Sequence, residues 1–265
     1  MKKSRCLALQ LSLIISGIIM AVFIPAQAQA EVSVLPSVLV KIKPSIVAVG
    51  TFMTKRSPRA QFLGTGFAVR DGSLVVTNAH VVASAVDTEH KEELAVFYRL
   101  ADVEKSVLAK LVALDSVHDV AILKLQDAKL PPLTLGKAST VQEGQQYAFT
   151  GYPMGMVLGL YPVTHRGIVS AISPNIIPVL SASQITPKLL KNLQQPYNVF
   201  QLDATAYPGN SGSPLYNSET GEVVGIVNKV FVQESKESAL SKPSGISYAV
   251  PVEYIEKLLN EKNLK

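Results

Sequence analysis

Cysteine and histidine are scarce in this chain of 265 residues, which contains one cysteine and four histidines. The single cysteine, Cys6, lies in an apolar N-terminal segment, so the rest of the chain has no disulfide and no thiol nucleophile. A structural zinc site needs several Cys or His ligands. We therefore expect no bound metal, and no sequence pattern indicates a cofactor.

Excess charge of one sign is small as well. The formal net charge is +5, but the first 30 residues carry three of the 25 basic residues and no acidic one, which leaves +2 for the remainder. A dedicated nucleic-acid binder is expected to carry a dense stripe of Lys and Arg. The sequence has no such stripe, so we predict no nucleic-acid partner.

Residues 1–30 have the organisation of a secretory signal peptide. Lys2, Lys3 and Arg5 precede an apolar run from Leu7 to Ile24, and two overlapping A-x-A sites follow within residues 26–30. A run of about 18 apolar residues would also just span a bilayer, so a retained anchor is the alternative. We predict export, cleavage, a periplasmic or secreted location and no stable membrane insertion afterwards.

Short runs of Val, Ile, Leu, Tyr and Phe, separated by Gly, Pro, Asp and Asn, fill most of the remaining chain. They predict strands at Ile46–Phe52, Thr65–Val69, Leu74–Thr77, Leu94–Tyr98, Leu108–Leu114, Val120–Leu125, Gln146–Tyr152, Gly167–Ile172, Val199–Leu202, Val223–Phe231 and Gly245–Val250. This pattern favours an all-β fold of barrels or sandwiches. A connector at Asp127–Gly144 divides two predicted β-domains, about Leu35–Gln126 and Val141–Val250.

Helical patterns are few. We predict short helices at Leu35–Lys43 and Thr186–Gln194, and a clearer one at Pro251–Glu261, where Pro251 suits the first helical position. The last segment has one apolar stripe at helical spacing, which predicts a helix packed on the second β-domain. The stripe consists of Val252, Ile255, Leu258 and Leu259.

Two separate segments supply a base and an acid. His80 follows a predicted strand in T-N-A-H-V-V, and histidine is the natural general base at neutral pH because its unperturbed pKa is about 6.5. Asp119 directly precedes an apolar strand, where a buried carboxylate needs a partner such as a histidine N–H. Taken alone, a packed or surface histidine and a turn-capping aspartate are the alternative interpretations.

A third segment, P-G-N-S-G-S-P-L at 208–215, supplies a hydroxyl. Gly209 and Gly212 flank Ser211 in a tight turn that exposes the side chain. The main-chain N–H groups of Gly209 and Ser211 are the donors that we expect to stabilise an oxyanion. A Gly-rich turn alone is weak support for a nucleophilic serine. This turn also differs from the G-x-S-x-G nucleophile elbow.

The segments T-N-A-H-V, H-D-V-A-I-L-K-L and G-N-S-G-S-P-L, in the order His, Asp, Ser, resemble those of trypsin-like peptidases of the HtrA/Deg type. The resemblance covers nearly the whole chain after the signal and includes L-P-S at 35–37, G-T-G-F at 64–67, G-Y-P-M-G at 151–155 and G-I-S-Y-A-V-P at 245–251. It implies two six-stranded β-barrels of the chymotrypsin/trypsin type, residues 31–135 and 136–265, with a C-terminal helix in the second half.

The resemblance implies a catalytic triad of Ser211 as nucleophile, His80 as base and Asp119 as the residue that orients the base. It also implies a primary pocket walled by Ala206 and Val230, with Asn228 pairing with the substrate main chain. Thr205 stands six residues before the serine, where a trypsin-like preference would need an acid. We therefore predict cleavage after small or medium aliphatic residues.

The predicted function is that of an exported serine endopeptidase acting on exposed or unfolded polypeptide. Two alternatives remain: a protease-fold chaperone or adaptor with little turnover, and an esterase using the same triad. The chain ends soon after its last predicted helix, so we expect no C-terminal PDZ domain, and relatives suggest a homotrimer through Val32–Lys43. Of the other histidines, His90 is interpreted as part of a solvated turn, and His118 as pointing away from Asp119. His165 is interpreted as a surface residue, with a position lining the cleft as the alternative.

Overall fold

A computed structural model describes residues 33–83, 86–87, 89–100, 103–153, 159–175, 196–228 and 245–265 of the protein. The predicted signal peptide at 1–30 and the predicted helix at Thr186–Gln194 lie outside the described residues. None of the helices in the described ranges is both long and apolar enough to span a bilayer.

Six antiparallel strands close a first barrel in the order β1-β2-β3-β6-β5-β4. They are β1 (Ile46–Phe52), β2 (Ala60–Val69), β3 (Leu74–Thr77), β4 (Glu93–Leu100), β5 (Val103–Asp115) and β6 (Val120–Leu125). β1, β3 and β6 have the predicted bounds. β2, β4 and β5 are longer than predicted. The added residues of β4 and β5 are mostly polar, and residues 60–64 of β2 pair with β1 across a bulge, so the extensions are held by pairing with neighbours.

A second closed barrel follows in the order β10-β11-β12-β9-β8-β7. Its strands are β7 (Gln146–Gly151), β8 (Val163–Pro174), β9 (Asn198–Asp203), β10 (Pro214–Asn217), β11 (Val223–Asn228) and β12 (Ile246–Pro251). The two-barrel fold expected from the resemblance is confirmed. β10 was not predicted, because only two apolar residues lie between Pro214 and Asn217, which are typical of turns. The predicted extension of β11 to Phe231 lies outside the described residues.

In the described ranges, three α-helices flank the barrels: α1 (Leu35–Ile42), α2 (Ala79–Val82) and α3 (Glu253–Glu261). The placement of Pro251 at the first position of the last helix was wrong. Pro251 ends β12 opposite Gly225, and the ladder continues because the N–H of Val252 donates to the carbonyl of Val224 at 2.9 Å. α3 therefore begins two residues later, with its apolar stripe buried as predicted.

Alternation along β1 shows how the core is divided. Val47 and Val49 face an apolar cluster inside the first barrel, whereas Ile46 and Ala48, one residue out of phase, face a second cluster. This second cluster also contains Tyr216 of β10 and residues of α1 and α3. The two barrels thus share apolar packing, and the loops that carry the candidate site lie on both of them.

Candidate active site

His80 and Asp119 meet at one end of the first barrel. His80 lies in the single turn of α2 directly after β3, and Asp119 directly precedes β6. The Nδ1 atom of His80 lies 2.6 Å from Oδ2 of Asp119, and the main-chain N–H of His80 donates to Oδ1 at 2.8 Å. Both carboxylate oxygens therefore contact the same residue and fix the position of its ring.

The backbone of Asp119 is in the left-handed region, with φ 56°. This conformation costs an L-residue about 1–2 kcal/mol. The carbonyl of Asp119 compensates by accepting the N–H of Ala79 at 3.1 Å and the side-chain amide of Asn78 at 3.0 Å. The strained conformation is therefore held by the segment that carries His80.

The exposure of the pair is uneven. The side chain of Asp119 is 10% exposed and that of His80 is 34% exposed. A buried carboxylate favours a donor at close range, so the shared proton lies on Nδ1 of His80. The other ring nitrogen, Nε2, is then free to accept a proton from a nucleophile.

Ser211 lies in the turn that precedes β10 of the second barrel. Gly209 and Gly212 adopt φ values of 99° and 89°. The N–H of Asn210 donates to the carbonyl of Tyr207, and that of Gly212 donates to the carbonyl of Val227, both at 3.0 Å. By contrast, the N–H groups of Gly209 and Ser211 donate to no described residue, so the two predicted oxyanion donors are unpaired.

Thr65 of β2 connects the two barrels at this point. Its N–H donates to the carbonyl of Ser211 at 2.8 Å, and its Oγ1 donates to the carbonyl of Gly209 at 2.7 Å. The same Oγ1 accepts the N–H of Tyr152 at 2.9 Å. A Cβ built on Gly64 would lie 2.7 Å from Val81 and 2.9 Å from the Ser211 carbonyl, so the His80 and Ser211 segments contact the same stretch of β2.

Among the described residues, Ser211 Oγ and His80 Nε2 have no hydrogen-bond partner. Such bonds are often long in a resting enzyme and shorten when substrate binds. The structure therefore brings the two segments together without closing the bond between them.

The predicted substrate residues lie on different elements. Ala206 is half-buried beside the apolar cluster inside the second barrel. Asn228 ends β11 opposite Tyr248 and is 2% exposed. Val230 lies outside the described residues.

Among the residues that the structure describes, no three His, Cys, Asp or Glu side chains cluster as metal ligands.

Two residues near the site were missed by the sequence reasoning. Thr65 was noted only within G-T-G-F, and its contact with Gly209 spans 144 positions, which no local pattern reports. The surface interpretation of His165 was wrong, because its ring stacks on Phe149 with centroids 4.9 Å apart. Burial also lowers its pKa.

The remaining histidines pair with nearby aspartates. His90 is 69% exposed in its side chain and bonds Asp87, as expected for a solvated turn. His118 bonds Asp115 at 2.5 Å and stacks on Tyr254 of α3 with ring centroids 3.8 Å apart. His118 therefore packs away from His80.

Comparison with known proteins extends these observations. A family model described as "Trypsin-like peptidase domain" matches residues 64–226. A relative from Hahella chejuensis named "Probable periplasmic serine endoprotease DegP-like" is 34% identical over 208 residues, and the match covers 78% of this chain and 37% of the relative. A relative of the same name from Pseudomonas fluorescens is 34% identical over 212 residues, with the same coverages. The chain thus spans little more than a third of the length of these relatives.

A similar fold is found among solved structures. The HtrA-type protease AlgW with a tripeptide superimposes with a TM-score of 0.61 at 23% identity. The match covers 85% of this chain and 62% of the other. At this identity the likeness concerns the fold.

Proposed function

Because the chain belongs to the trypsin-like peptidase family, we propose that it is a serine endopeptidase with His80, Asp119 and Ser211 as its catalytic triad. The observation that carries this proposal is the pairing of His80 Nδ1 with the buried carboxylate of Asp119 at 2.6 Å. Asp119 keeps the proton on Nδ1, which leaves Nε2 as the base.

The reaction follows from these positions. Ser211 Oγ attacks the scissile carbonyl while His80 Nε2 takes its proton, and the imidazolium is stabilised by Asp119. The N–H groups of Gly209 and Ser211 donate to the oxyanion. His80 then gives the proton to the leaving amine, and water hydrolyses the acyl-enzyme by the same steps in reverse order.

Substrate choice rests on the second barrel. We propose that Ala206 and Val230 wall the primary pocket and that Asn228 pairs with the substrate main chain. Thr205 brings no charge to this region, so small or medium aliphatic side chains are the preferred P1 residues. A peptide-library digest with cleavage mainly after Lys or Arg would contradict this preference.

Export to the periplasm is part of the proposal, with residues 1–30 as the signal peptide and residues 31–135 and 136–265 as the two barrel halves. The relatives named as periplasmic support this location. A homotrimer through Val32–Lys43 is also proposed, since Val34 and Val40 on or beside α1 are 47% and 76% exposed. Light scattering should give about three times the monomer mass, and a monomer would contradict the trimer.

Casein hydrolysis by the purified protein tests the proposed function. We expect wild type to cleave casein and Ser211→Ala to lose about 10⁶ in kcat while remaining folded. Ser213→Ala is the matched control, because it removes a buried hydroxyl two residues away that has no hydrogen-bond partner among the described residues. Folded wild type that binds casein without cleaving it would support the chaperone or adaptor alternative, and cleavage of nitrophenyl esters alone would support the esterase.

A further inference from the structure

His165 on β8 contacts the turn that carries Ser211. Its Nε2 atom lies 3.5 Å from Nδ2 of Asn210, the residue between Gly209 and Ser211. One face of the imidazole stacks on Phe149 of β7 with an interplanar angle of 20°. The ring is therefore held by the barrel while its edge meets the turn.

The contact with Asn210 favours one tautomer of the neutral His165 ring. An amide nitrogen is a donor, so Nε2 accepts the bond and the proton of the neutral ring lies on Nδ1. Burial lowers the pKa of His165, and among the described side chains no charge contributes to that shift. The titratable ring that faces it is that of Tyr207, 5.9 Å away, and Arg166 points to the opposite face of the strand.

The Asn210 amide is only half satisfied. Asn210 is fully buried, and its Oδ1 has no hydrogen-bond partner among the described residues. Ser213 Oγ is also buried, and it has no partner in the part of the chain that the structure describes. A Cβ built on Gly151 would lie 2.0 Å from Ser213 Oγ and 3.0 Å from Asn210 Oδ1, so these two atoms border the same small space.

A second arrangement of the amide is thus available. When His165 is protonated, Nε2 becomes a donor and faces the donor Nδ2 of Asn210, which is unfavourable. Rotation of the amide by half a turn lets Oδ1 accept from the imidazolium and directs Nδ2 towards Ser213 Oγ. The main chain of Asn210 donates to Tyr207 and accepts from Ser213, so the residue whose amide rotates is itself part of the turn.

We propose that His165 is a positioning residue for the oxyanion turn, and that its protonation reorients Asn210, displaces the N–H groups of Gly209 and Ser211 and slows turnover. The proposal rests on the proposed peptidase function, because turnover is the property that the turn supports. It assigns His165 no contact with substrate.

Kinetics of three variants on a peptide substrate between pH 5 and 8 test the proposal. In wild type kcat should fall towards acid by up to about tenfold more than in a variant whose residue 165 does not titrate, because protonation of His165 removes the acceptor that positions the turn. His165→Gln keeps an acceptor for Asn210 without titrating, so its kcat should fall less steeply towards acid and should lie within about twofold of wild type at pH 8. His165→Phe keeps the ring without the acceptor, so kcat at pH 8 should fall about tenfold with KM unchanged.

His90→Gln is the matched control, because it removes an exposed histidine remote from the turn, and it should behave as wild type. An unchanged pH dependence of kcat in His165→Gln would overturn the proposal. So would wild-type kcat in a folded His165→Phe protein.

Nitrogen NMR separates this proposal from the proposed function. In the wild-type chain, the neutral ring of His165 should carry its proton on Nδ1, and the side-chain amide signals of Asn210 should shift with the titration of His165. Asn210 amide signals whose chemical shifts do not change with the titration of His165 would overturn the proposal even in an active enzyme. A folded protein without turnover would contradict the proposed function. The contact between His165 and Asn210 would still be supported if the proton lies on Nδ1 and the Asn210 amide signals shift with the titration.

Discussion

Asp119 contacts His80 through both of its carboxylate oxygens. One accepts the main-chain N–H at 2.8 Å and the other lies 2.6 Å from Nδ1 of the ring. The ring therefore cannot turn about its side-chain bonds without losing the second contact, while the first keeps the carboxylate in place. The imidazole is thus oriented before any substrate binds.

Asp119→Asn should lower kcat about 10⁴-fold with little change in KM, because an amide favours the wrong imidazole tautomer. Steady-state kinetics on a peptide substrate measure the effect. Asp87→Asn is the matched control, since Asp87 pairs with His90 at 2.7 Å in an exposed turn. Equal losses in the two variants would contradict the assigned role of Asp119.

Gly212→Ala should destabilise the fold by several kcal/mol and lower kcat about 100-fold. The added Cβ would lie 1.9 Å from the carbonyl oxygen of Thr65, at a φ of 89°, so the Ser211 turn has to move. Gly144→Ala separates the two causes, because Gly144 has a φ of 85° and its added Cβ would have no described atom within 4 Å. That control should cost about 1 kcal/mol and leave kcat unchanged, as measured by chemical unfolding and kinetics.

Thr65→Val should cost about 2–4 kcal/mol of unfolding free energy and lower kcat about tenfold. The substitution keeps the shape but leaves the carbonyl of Gly209 and the N–H of Tyr152 without their shared partner. Thr140→Val, at an exposed hydroxyl that bonds the carbonyl of Lys137, should cost about 0.5 kcal/mol or less. A wild-type kcat in Thr65→Val would show that turnover does not depend on the hydrogen bond from Thr65 to the carbonyl of Gly209.

Asp115→Asn should destabilise the protein at pH 7 by about 1–2 kcal/mol and make progressively less difference below about pH 4. Burial raises the pKa of Asp115, but hydrogen bonds from the ring and N–H of His118 and from the N–H of Val117 outweigh it and hold the pKa below its ordinary value. The charged form is thus favoured by folding, and its contribution is lost as acid protonates the native carboxylate.

Unfolding of Asp115→Asn and wild type by urea at pH 7 and pH 3 measures this difference. The exposed pair of Asp87 and His90 is screened by water, so Asp87→Asn should change stability little at either pH. A loss in Asp115→Asn that is the same at both pH values would mean that the charge of Asp115 does not contribute.

Much of the fold could be predicted because the strands are self-contained apolar runs. β3 and β6 have their predicted bounds, since all four residues of β3 are buried and β6 is buried except at Lys124. β10 escaped prediction because its two apolar residues become a strand through pairing with β11, the next strand, and with β7, which is distant in sequence. The prediction for Pro251 was wrong because strand pairing with β11 places it in β12. This long-range pairing outweighs the local preference of proline for the first position of a helix.

The candidate site could be predicted in part for the same reason. His80, Asp119 and Ser211 stand in local patterns, whereas the residues that support them act across the fold. Thr65 contacts Gly209 from the other barrel, and His165 reaches Asn210 over 45 positions. The sequence shows the residue types, and only the closed barrels show which of them meet.

The assignment of Ser211 as the nucleophile can be tested by mass spectrometry of the protein after reaction with a fluorophosphonate. We expect one adduct per chain, located on Ser211, formed by wild type and Ser213→Ala and strongly slowed in Asp119→Asn. A folded wild-type protein that forms no adduct, or an adduct on another serine that survives Ser211→Ala, would contradict it.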